Sequence, residues 1–371
     1  MKAPGAKGRF DDLLFVTSSV KLRDNIGERE TDQALSFLQA IPNSNFIDLP
    51  PLEKAEEAAA LVRAKFTERT RGVVLVGGYD VVPSLQFNML SPQLLKEISE
   101  DPESRKEEWD VDDFIIWSDD VYGDRDNDFL PELPVSRIPD GRSWAFLQAA
   151  LNAPPARIMD KYGIRNLKRP FAIEIFEKIP YTAETVLEVS EECSPKTIKG
   201  GAVKGAIYFM LHGHHYDATR YTGELKGTGY YEAFDIYNVP KSCAGSVVLS
   251  GCCYGALIAL PKADRKEPGI TLRSRTDEQS IALAFLKSGA NAYVGCTGAH
   301  YSPRTATGNF FGKPMHLSFW KNIERGLPAA QALLEAKKEY AVNIPHGLTK
   351  AIYKAIEVKV MHQFTCLGIG W

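Results

Sequence analysis

The segment AIYFMLHGHHYDATRY, residues 206–221, begins with six apolar residues and continues directly into His212-Gly213. A second apolar run, SVVLS at 246–250, continues into the small and thiol-bearing sequence GCCYG. Short apolar runs bounded by glycine are typical of strands buried in a parallel sheet. Because functional groups gather at the carboxyl ends of such strands, we expect an imidazole and a thiol to face one cleft.

Further apolar runs alternate with segments of helical periodicity along the chain. This alternation predicts an α/β fold in which mostly parallel sheets are flanked by helices. The paired prolines Pro154 and Pro155 end a helix and predict a boundary between two side-by-side α/β subdomains, residues 1–155 and 156–371. Besides 206–211 and 246–250, the predicted strands are 13–17, 72–78, 112–117, 133–138, 171–176 and 291–296, and the predicted helices are 30–40, 52–70, 142–151, 277–288 and 328–342.

The composition argues against two classes of partner. The chain has 371 residues, of which 44% are hydrophobic and 25% are charged, as in a globular protein. A formal net charge of -3 gives no general attraction to nucleic acid or anionic lipid. No segment approaches the roughly 20 apolar residues of a membrane-spanning helix. We therefore expect neither a nucleic-acid nor a membrane partner.

The cysteines lack the spacing of a disulfide framework or of paired zinc-binding CxxC motifs. This pattern predicts a reducing compartment, the cytoplasm. Three of the cysteines, Cys243, Cys296 and Cys366, lie in apolar surroundings and are predicted to be small buried hydrophobes. The other three are Cys193, Cys252 and Cys253.

The two strand ends suit nucleophilic catalysis by a thiolate with a neighbouring imidazole. We predict that His212 is the general base and acid and that Cys252, the first residue after Gly251, is the nucleophile. Cys253 should then point back into the protein. The amides of Gly213 and Cys252 are predicted to form an oxyanion hole, in which each donor contributes on the order of 3 kcal/mol.

Five segments in this order resemble the gingipain-like cysteine peptidases of the caspase-hemoglobinase clan. Two are the His-Gly and Gly-Cys turns, and the others are VVLVGGYDVVPS (73–84), WSDDVYGDRDNDFLPELPVSRIPDG (117–141) and GANAYVGCTGAHYSP (289–303). The resemblance covers most of the chain from residue 70 onward. It implies a caspase-hemoglobinase-like fold and a cysteine endopeptidase with a His212-Cys252 dyad. It also implies protein or peptide substrates and no required cofactor.

The resemblance further implies a substrate pocket. In the Arg-specific gingipains the strand equivalent to 171–176 is followed by a glutamate near the histidine and by an acid at the pocket floor. Counting along this chain places Glu177 and Glu188 at these positions, and Tyr301 and Ser302 in the loop that forms the pocket wall. A carboxylate in the pocket would pair with a basic side chain. Cleavage after a P1 Arg or Lys is the resulting prediction.

The chain departs from the family pattern at Leu211 and Ser136, where the family usually has glycine, and in its second thiol, Cys253. A non-catalytic peptide-binding or scaffolding protein with the same cleft is therefore the alternative hypothesis. A more distant one is a metal-dependent hydrolase. The string HGHHYD is similar to the metal motif HxHxDH, but Tyr216 and Asp217 stand where that motif has Asp and His.

The alternating carboxylates Asp124, Asp126 and Asp128 are of the type that calcium binds. An EF-hand loop starting at Asp124 would need glycine and glutamate at its sixth and twelfth positions, where Phe129 and Val135 stand. We therefore predict a solvated turn here, with a calcium site of another type as the alternative.

Overall fold

The computed structural model describes residues 8–100, 110–181, 183–198, 205–227, 229–264, 272–303, 311–343 and 351–371. Within these ranges, no helix combines the length and the apolar character needed to span a membrane. All six cysteines lie within them and are free thiols. Cys243, Cys296 and Cys366 are buried, as predicted.

The described residues form sixteen strands and ten α-helices. The strands are β1 (Leu13–Thr17), β2 (Asn45–Asp48), β3 (Gly72–Val76), β4 (Leu85–Asn88), β5 (Ile115–Ser118), β6 (Val135–Ile138), β7 (Lys161–Arg165), β8 (Thr185–Val189), β9 (Ala206–Met210), β10 (Arg220–Lys226), β11 (Gly229–Asp235), β12 (Val247–Ser250), β13 (Ala259–Leu260), β14 (Arg273–Ser274), β15 (Ala292–Cys296) and β16 (Phe364–Gly368). The helices are α1 (Ser19–Ile26), α2 (Glu28–Gln39), α3 (Ala55–Arg63), α4 (Pro92–Glu100), α5 (Trp144–Leu151), α6 (Ala172–Glu177), α7 (Ile281–Lys287), α8 (Lys313–Glu324), α9 (Ala329–Val342) and α10 (Ala351–Gln363).

Ten strands form one central sheet in the order β2-β1-β3-β6-β16-β15-β12-β9-β7-β8. Strands β2, β1, β3 and β6 are parallel to their neighbours in this group, and so are β15, β12, β9, β7 and β8. Strand β16 joins the groups: it runs antiparallel to β15 and is bridged to β6 at the pair Leu367–Arg137. The mostly parallel α/β sheet is therefore confirmed.

The two groups of strands come from different halves of the chain. Strands β1, β2, β3 and β6 precede residue 155, and strands β7, β8, β9, β12 and β15 follow it, yet all nine belong to one sheet. The predicted division into subdomains 1–155 and 156–371 stays a prediction.

The burial of each element follows from its apolar pattern. Strands β1, β3, β9, β12 and β15 are buried along their entire length, as expected of strands covered on both faces. Helix α2 instead buries Thr31, Ala34 and Leu38, which are spaced so that one stripe faces the sheet. All five predicted helices are present with shifted ends.

The predicted strand at 171–176 is wrong, because FAIEIF lies in helix α6 and the turn before it. Phe171, Ala172, Ile175 and Phe176 are buried, whereas Ile173 and Glu174 are exposed, which is the periodicity of a helix rather than of a strand. The strand of this region is β7, whose sequence KYGIR has few apolar residues. The buried Lys161 ammonium is accommodated because it donates to three carbonyls, of Phe176, Glu177 and Ile179.

Two further elements differ from the prediction. The run at 112–117 yields only the short strand β5, which pairs with β4 in a hairpin outside the central sheet. Strand β16, which the sequence did not predict, lies in the middle of that sheet. Its sequence, FTCLG, contains glycine and threonine and has no long apolar run.

Candidate active site

The His212-Gly213 turn leaves the central sheet at the carboxyl end of β9. The His212 N–H donates to the carbonyl of Thr222 (2.8 Å), and the Thr222 N–H donates to the carbonyl of His212 (2.9 Å). Because Leu211 before the turn is buried and Thr222 belongs to β10, the backbone of His212 is held from two sides. The imidazole therefore has a fixed point of attachment at the edge of the sheet.

Gly213 packs directly against the turn that carries the two thiols. Strands β9 and β12 are neighbours, with Phe209 opposite Ser250. A Cβ atom added at Gly213 would lie 2.0 Å from the carbonyl oxygen of Cys253, so only glycine permits this approach. The structure thus brings together the two turns that the sequence placed at one cleft.

The two thiols do not lie as predicted. Cys252 is fully buried, and burial raises the pKa of its thiol to about 12. Cys253 is partly exposed. The expected orientations are reversed because sheet pairing continues one residue beyond β12: the Gly251 N–H still donates to the carbonyl of Phe209 (2.8 Å). The exposed cysteine of the turn is therefore residue 253 and not residue 252.

The Cys253 thiol lies against the loop that follows β15. Its sulfur accepts the N–H of His300 at 3.3 Å and donates to the His300 carbonyl at 3.6 Å. Burial raises the pKa of the thiol, and the hydrogen bond from the His300 N–H works against that rise. A donor to the sulfur favours the thiolate, which is the nucleophilic form.

Backbone amides of both turns are available at the cleft. Neither the Gly213 N–H nor the Cys253 N–H donates to another group in the described part of the chain. The Cys252 N–H, which was predicted to belong to the oxyanion hole, is directed at the Ser250 hydroxyl (3.4 Å). Gly213 and Cys253 therefore offer the pair of donors that an oxyanion requires.

The His212 ring is partly buried and faces a carboxylate. Its Nε2 atom lies 3.6 Å from Oε2 of Glu224, and the two side chains are 25% and 18% exposed. Burial lowers the pKa of His212, the charge of Arg169 lowers it further, and Glu224 opposes both effects. Since the net shift is downward, the imidazole is neutral at pH 7, as a proton acceptor must be.

Arg169 and Glu224 were not predicted as site residues. Glu224 lies in β10, which forms a β-hairpin with β11. The sequence contains no apolar run that would have predicted this hairpin. Arg169 lies in the loop between β7 and α6. Had β7 been predicted as a strand, the loop after it would have been placed at the edge of the sheet that carries His212. Because the sequence of β7 is weakly apolar, the strand was missed and so was Arg169.

The predicted pocket acids Glu177 and Glu188 are not brought to His212. Glu177 ends α6 beside Lys161, at the amino end of β7, whereas the His212 turn lies at the carboxyl end of the neighbouring strand. Glu188 lies on the outermost strand, β8, where its carboxylate accepts from the Tyr162 hydroxyl at 3.4 Å. These positions give no pocket acid next to the imidazole.

Tyr301 and Ser302 lie beside the thiol turn. They directly follow His300, whose backbone contacts the Cys253 sulfur, and both are partly exposed. The Tyr301 hydroxyl donates to Asp110 at 2.7 Å, which fixes the ring. This location is compatible with the predicted wall of a substrate pocket.

A pair of buried histidines that the sequence did not suggest lies behind the thiol turn. His300 and His316 stack with ring centroids 5.3 Å apart. Burial lowers the pKa of His316 to about 3 and that of His300 well below its ordinary value. Both rings are therefore neutral, and they fill the space below the cleft.

The other histidines of the HGHHYD string do not form a metal site with His212. Nε2 of His214 lies 3.3 Å from the Thr222 hydroxyl, and the His215 carbonyl accepts from Arg275. Among the described residues, the only three-ligand group is Asp124, Asp126 and Asp128.

The turn at Asp124 is closed by its own hydrogen bonds. The Asp124 carboxylate accepts the N–H groups of Asn127 (2.6 Å) and Phe129 (2.9 Å). Asp126 and Asp128 are exposed. This arrangement is compatible with the predicted solvated turn, and the calcium alternative stays a prediction.

Solved gingipain structures resemble this chain over nearly its whole length. The crystal structure of the Arg-specific cysteine proteinase gingipain R aligns with a TM-score of 0.60 and 12% identity, covering 99% of this chain and 79% of that chain. The complex of the pro- and mature domains of Porphyromonas gingivalis RgpB aligns with a TM-score of 0.54 and 12% identity, covering 96% and 78%. No protein-family profile and no curated protein sequence matches the chain. The protein therefore has the gingipain-like caspase-hemoglobinase fold, as the sequence motifs predicted.

Proposed function

We propose that the protein is a cysteine endopeptidase in which His212 is the general base and Cys253 the nucleophile. The observation that carries this proposal is the packing of the His212-Gly213 turn against a turn in which Cys253, unlike Cys252, is partly exposed. Two amide donors, of Gly213 and Cys253, accompany it. The fold, which is that of a cysteine peptidase, supports the same reaction class.

In the first half of the reaction, neutral His212 takes the proton of the Cys253 thiol. The thiolate sulfur then attacks the carbonyl carbon of the scissile peptide, and the electron pair of the C=O bond moves to oxygen. The amides of Gly213 and Cys253 donate to this oxyanion, with each donor contributing on the order of 3 kcal/mol. Glu224 stabilises the imidazolium during this step.

In the second half, the imidazolium gives its proton to the peptide nitrogen, the C–N bond breaks and the amine product leaves. A thioester joins the acyl part of the substrate to Cys253. Water attacks the thioester carbon while His212 accepts a water proton, and cleavage of the C–S bond releases the acid product. The proton on His212 returns to the thiolate. These residues and water account for every bond and proton.

The paired thiols provide a matched test of the assignment. Blocked fluorogenic peptides are offered to the wild type, to Cys253→Ala and to Cys252→Ala, with and without a chelator. We expect Cys253→Ala to lower kcat/KM by at least about 10³-fold, because it removes the nucleophile, and Cys252→Ala to retain most of the turnover. Circular dichroism confirms that both variants are folded.

Each other outcome has a definite meaning. Loss of turnover in Cys252→Ala alone returns the nucleophile to residue 252. Turnover abolished by chelator favours the metal-dependent alternative. Alkylation of Cys253 by iodoacetamide without hydrolysis of any peptide favours the peptide-binding alternative. The positions of Glu177 and Glu188, away from His212, do not support the predicted preference for Arg or Lys at P1.

A further inference from the structure

The loop after β7 carries an arginine to the edge of the sheet where His212 lies. The N–H of Asn166 in this loop donates to the carbonyl of Met210 at 2.8 Å, two residues before His212. The Arg169 N–H donates to the Asn166 carbonyl at 3.0 Å and closes a turn. Because β7 and β9 are parallel neighbours, with Arg165 opposite Met210, the two loops leave the sheet side by side.

The Arg169 charge reaches the groups proposed to react. After burial, it is the largest influence that lowers the pKa of His212. It also opposes the effect of burial on the pKa of the Cys253 thiol and adds to the lowered pKa of His300. The Asn166 to Met210 hydrogen bond places the Arg169 loop beside the His212 turn, and the reach of the charge to these groups agrees with that position.

Arg169 has no carboxylate partner in the described part of the chain. Its side chain donates only to the Lys168 carbonyl, at 3.3 Å, and no described carboxylate oxygen lies within 4.0 Å of it. The nearby acids have closer partners: Glu224 lies 3.6 Å from His212, and Asp112 lies 2.8 Å from Lys359. A guanidinium without an anion favours a carboxylate ligand, which it can bind through two parallel hydrogen bonds.

Given the proposed peptidase function, we propose that Arg169 selects substrates with an Asp or Glu side chain at P1, next to the scissile bond. The substrate carboxylate would form with Arg169 the ion pair that no described acid forms with it. A basic P1 side chain would instead meet a like charge, which is unfavourable. The neighbouring Lys168 is exposed and adds to the positive potential.

The test uses blocked peptides that are identical except at P1, where Asp, Glu, Asn, Gln, Ala, Arg or Lys is placed. The enzymes are the wild type, Arg169→Ala, Arg169→Glu and the neighbouring control Lys168→Ala. We expect the wild type to cleave the Asp peptide with a kcat/KM at least about 100-fold above that of the Asn peptide, which has the same shape without the charge. Arg169→Ala should remove this difference, Arg169→Glu should favour Arg and Lys, and Lys168→Ala should keep it.

The outcomes separate this inference from the peptidase proposal. Efficient cleavage of Arg, Lys or Ala peptides by the wild type, with no preference for Asp or Glu, overturns the role of Arg169 and leaves the peptidase intact. The same peptides with a free C-terminal carboxylate form a second set. Cleavage of that set alone also overturns the role of Arg169, because the guanidinium would then bind a chain terminus. If no peptide is cleaved, the peptidase proposal fails and the P1 inference fails with it.

A binding measurement gives a second readout that does not depend on turnover. Calorimetry with Cys253→Ala should show that the Asp peptide binds at least about tenfold more tightly than the Asn peptide. The double variant Cys253→Ala, Arg169→Ala should bind the two peptides equally. Equal binding already in Cys253→Ala contradicts the inference.

Discussion

Two charged regions flank the thiol turn, and they differ in how completely their charges are paired. On one side, the Lys359 ammonium lies 2.6 Å from Asp110 and 2.8 Å from Asp112, and none of the three side chains is more than 2% exposed. On the other side, His212 and Glu224 are 3.6 Å apart and partly exposed, and Arg169 has no described anion within 4.0 Å. Pairing is thus complete in one region and incomplete in the other.

The difference is informative because the two regions have different physical requirements. Asp112 also accepts the N–H of Ala299 (2.6 Å) and the hydroxyl of Tyr254 (2.5 Å). The cluster of Lys359, Asp110 and Asp112 therefore connects the thiol turn, through Tyr254, to the loop after β15, through Ala299. Buried charges are tolerated when every partner is present. The charged groups near His212 are incompletely paired and can still bind a ligand, as expected where a substrate is bound or a proton is transferred. Complete pairing therefore indicates a structural role, and incomplete pairing indicates a functional one.

The largest effect is expected from breaking the complete region. Lys359→Met leaves Asp110 without its buried cation and Asp112 with only Lys262, 3.4 Å away, and should lower the free energy of unfolding by about 3–5 kcal/mol. Lys354→Met on the same helix is the control, because Lys354 is 45% exposed and its ion pair with Glu97 spans 4.0 Å. The control should change stability by no more than about 0.5 kcal/mol. Urea denaturation compares them, and equal losses in the two variants contradict the structural role.

A smaller effect is expected in the incomplete region, from Glu224→Gln. The variant loses the charge proposed to stabilise the imidazolium, so kcat/KM should fall by roughly tenfold, the equivalent of about 1.4 kcal/mol. Glu224 raises the pKa of His212 against the opposing effects of burial and Arg169. Removing its charge therefore lowers that pKa further.

The pH profile of kcat/KM makes the sign of this effect measurable. In the proposed reaction, activity requires neutral His212 and declines as pH falls through its pKa, so the acidic limb should move to lower pH in Glu224→Gln. Glu232→Gln, on the exposed face of the neighbouring strand β11, should leave the limb in place. A limb that moves to higher pH, or that does not move, shows that Glu224 does not act on His212.

The same contrast explains which parts of the site could be predicted from sequence. Strands β9 and β12 lie in uninterrupted apolar runs followed by His-Gly and Gly-Cys, so the two turns and their proximity were predictable. The orientation of the thiols was not, since it depends on a single hydrogen bond from Gly251 to Phe209 beyond the end of β12. Arg169 and Glu224 come from elements without strong apolar patterns, and only the assembled sheet brings them to His212. The fold class could therefore be predicted, but not the charges around the site.

The effect that is smallest at pH 7 concerns the uncharged histidines behind the thiol turn, where Nδ1 of His316 lies 3.5 Å from the Tyr208 hydroxyl. Burial lowers the pKa of His316 to about 3, whereas an unfolded histidine titrates near 6.5. Between these two values the unfolded state binds a proton at this histidine and the folded state does not. The free energy of unfolding is therefore at its full value above pH 6.5 and falls as the pH is lowered toward 3, by up to about 1.4 kcal/mol per pH unit. His316→Phe should reduce this slope by up to one proton in urea denaturation between pH 7 and pH 5. The control is Trp320→Phe on the same helix, which alters packing without removing a titrating group and should lower stability equally at every pH. If the free energy of unfolding depends on pH with the same slope in both variants, His316 does not stay neutral in the folded state.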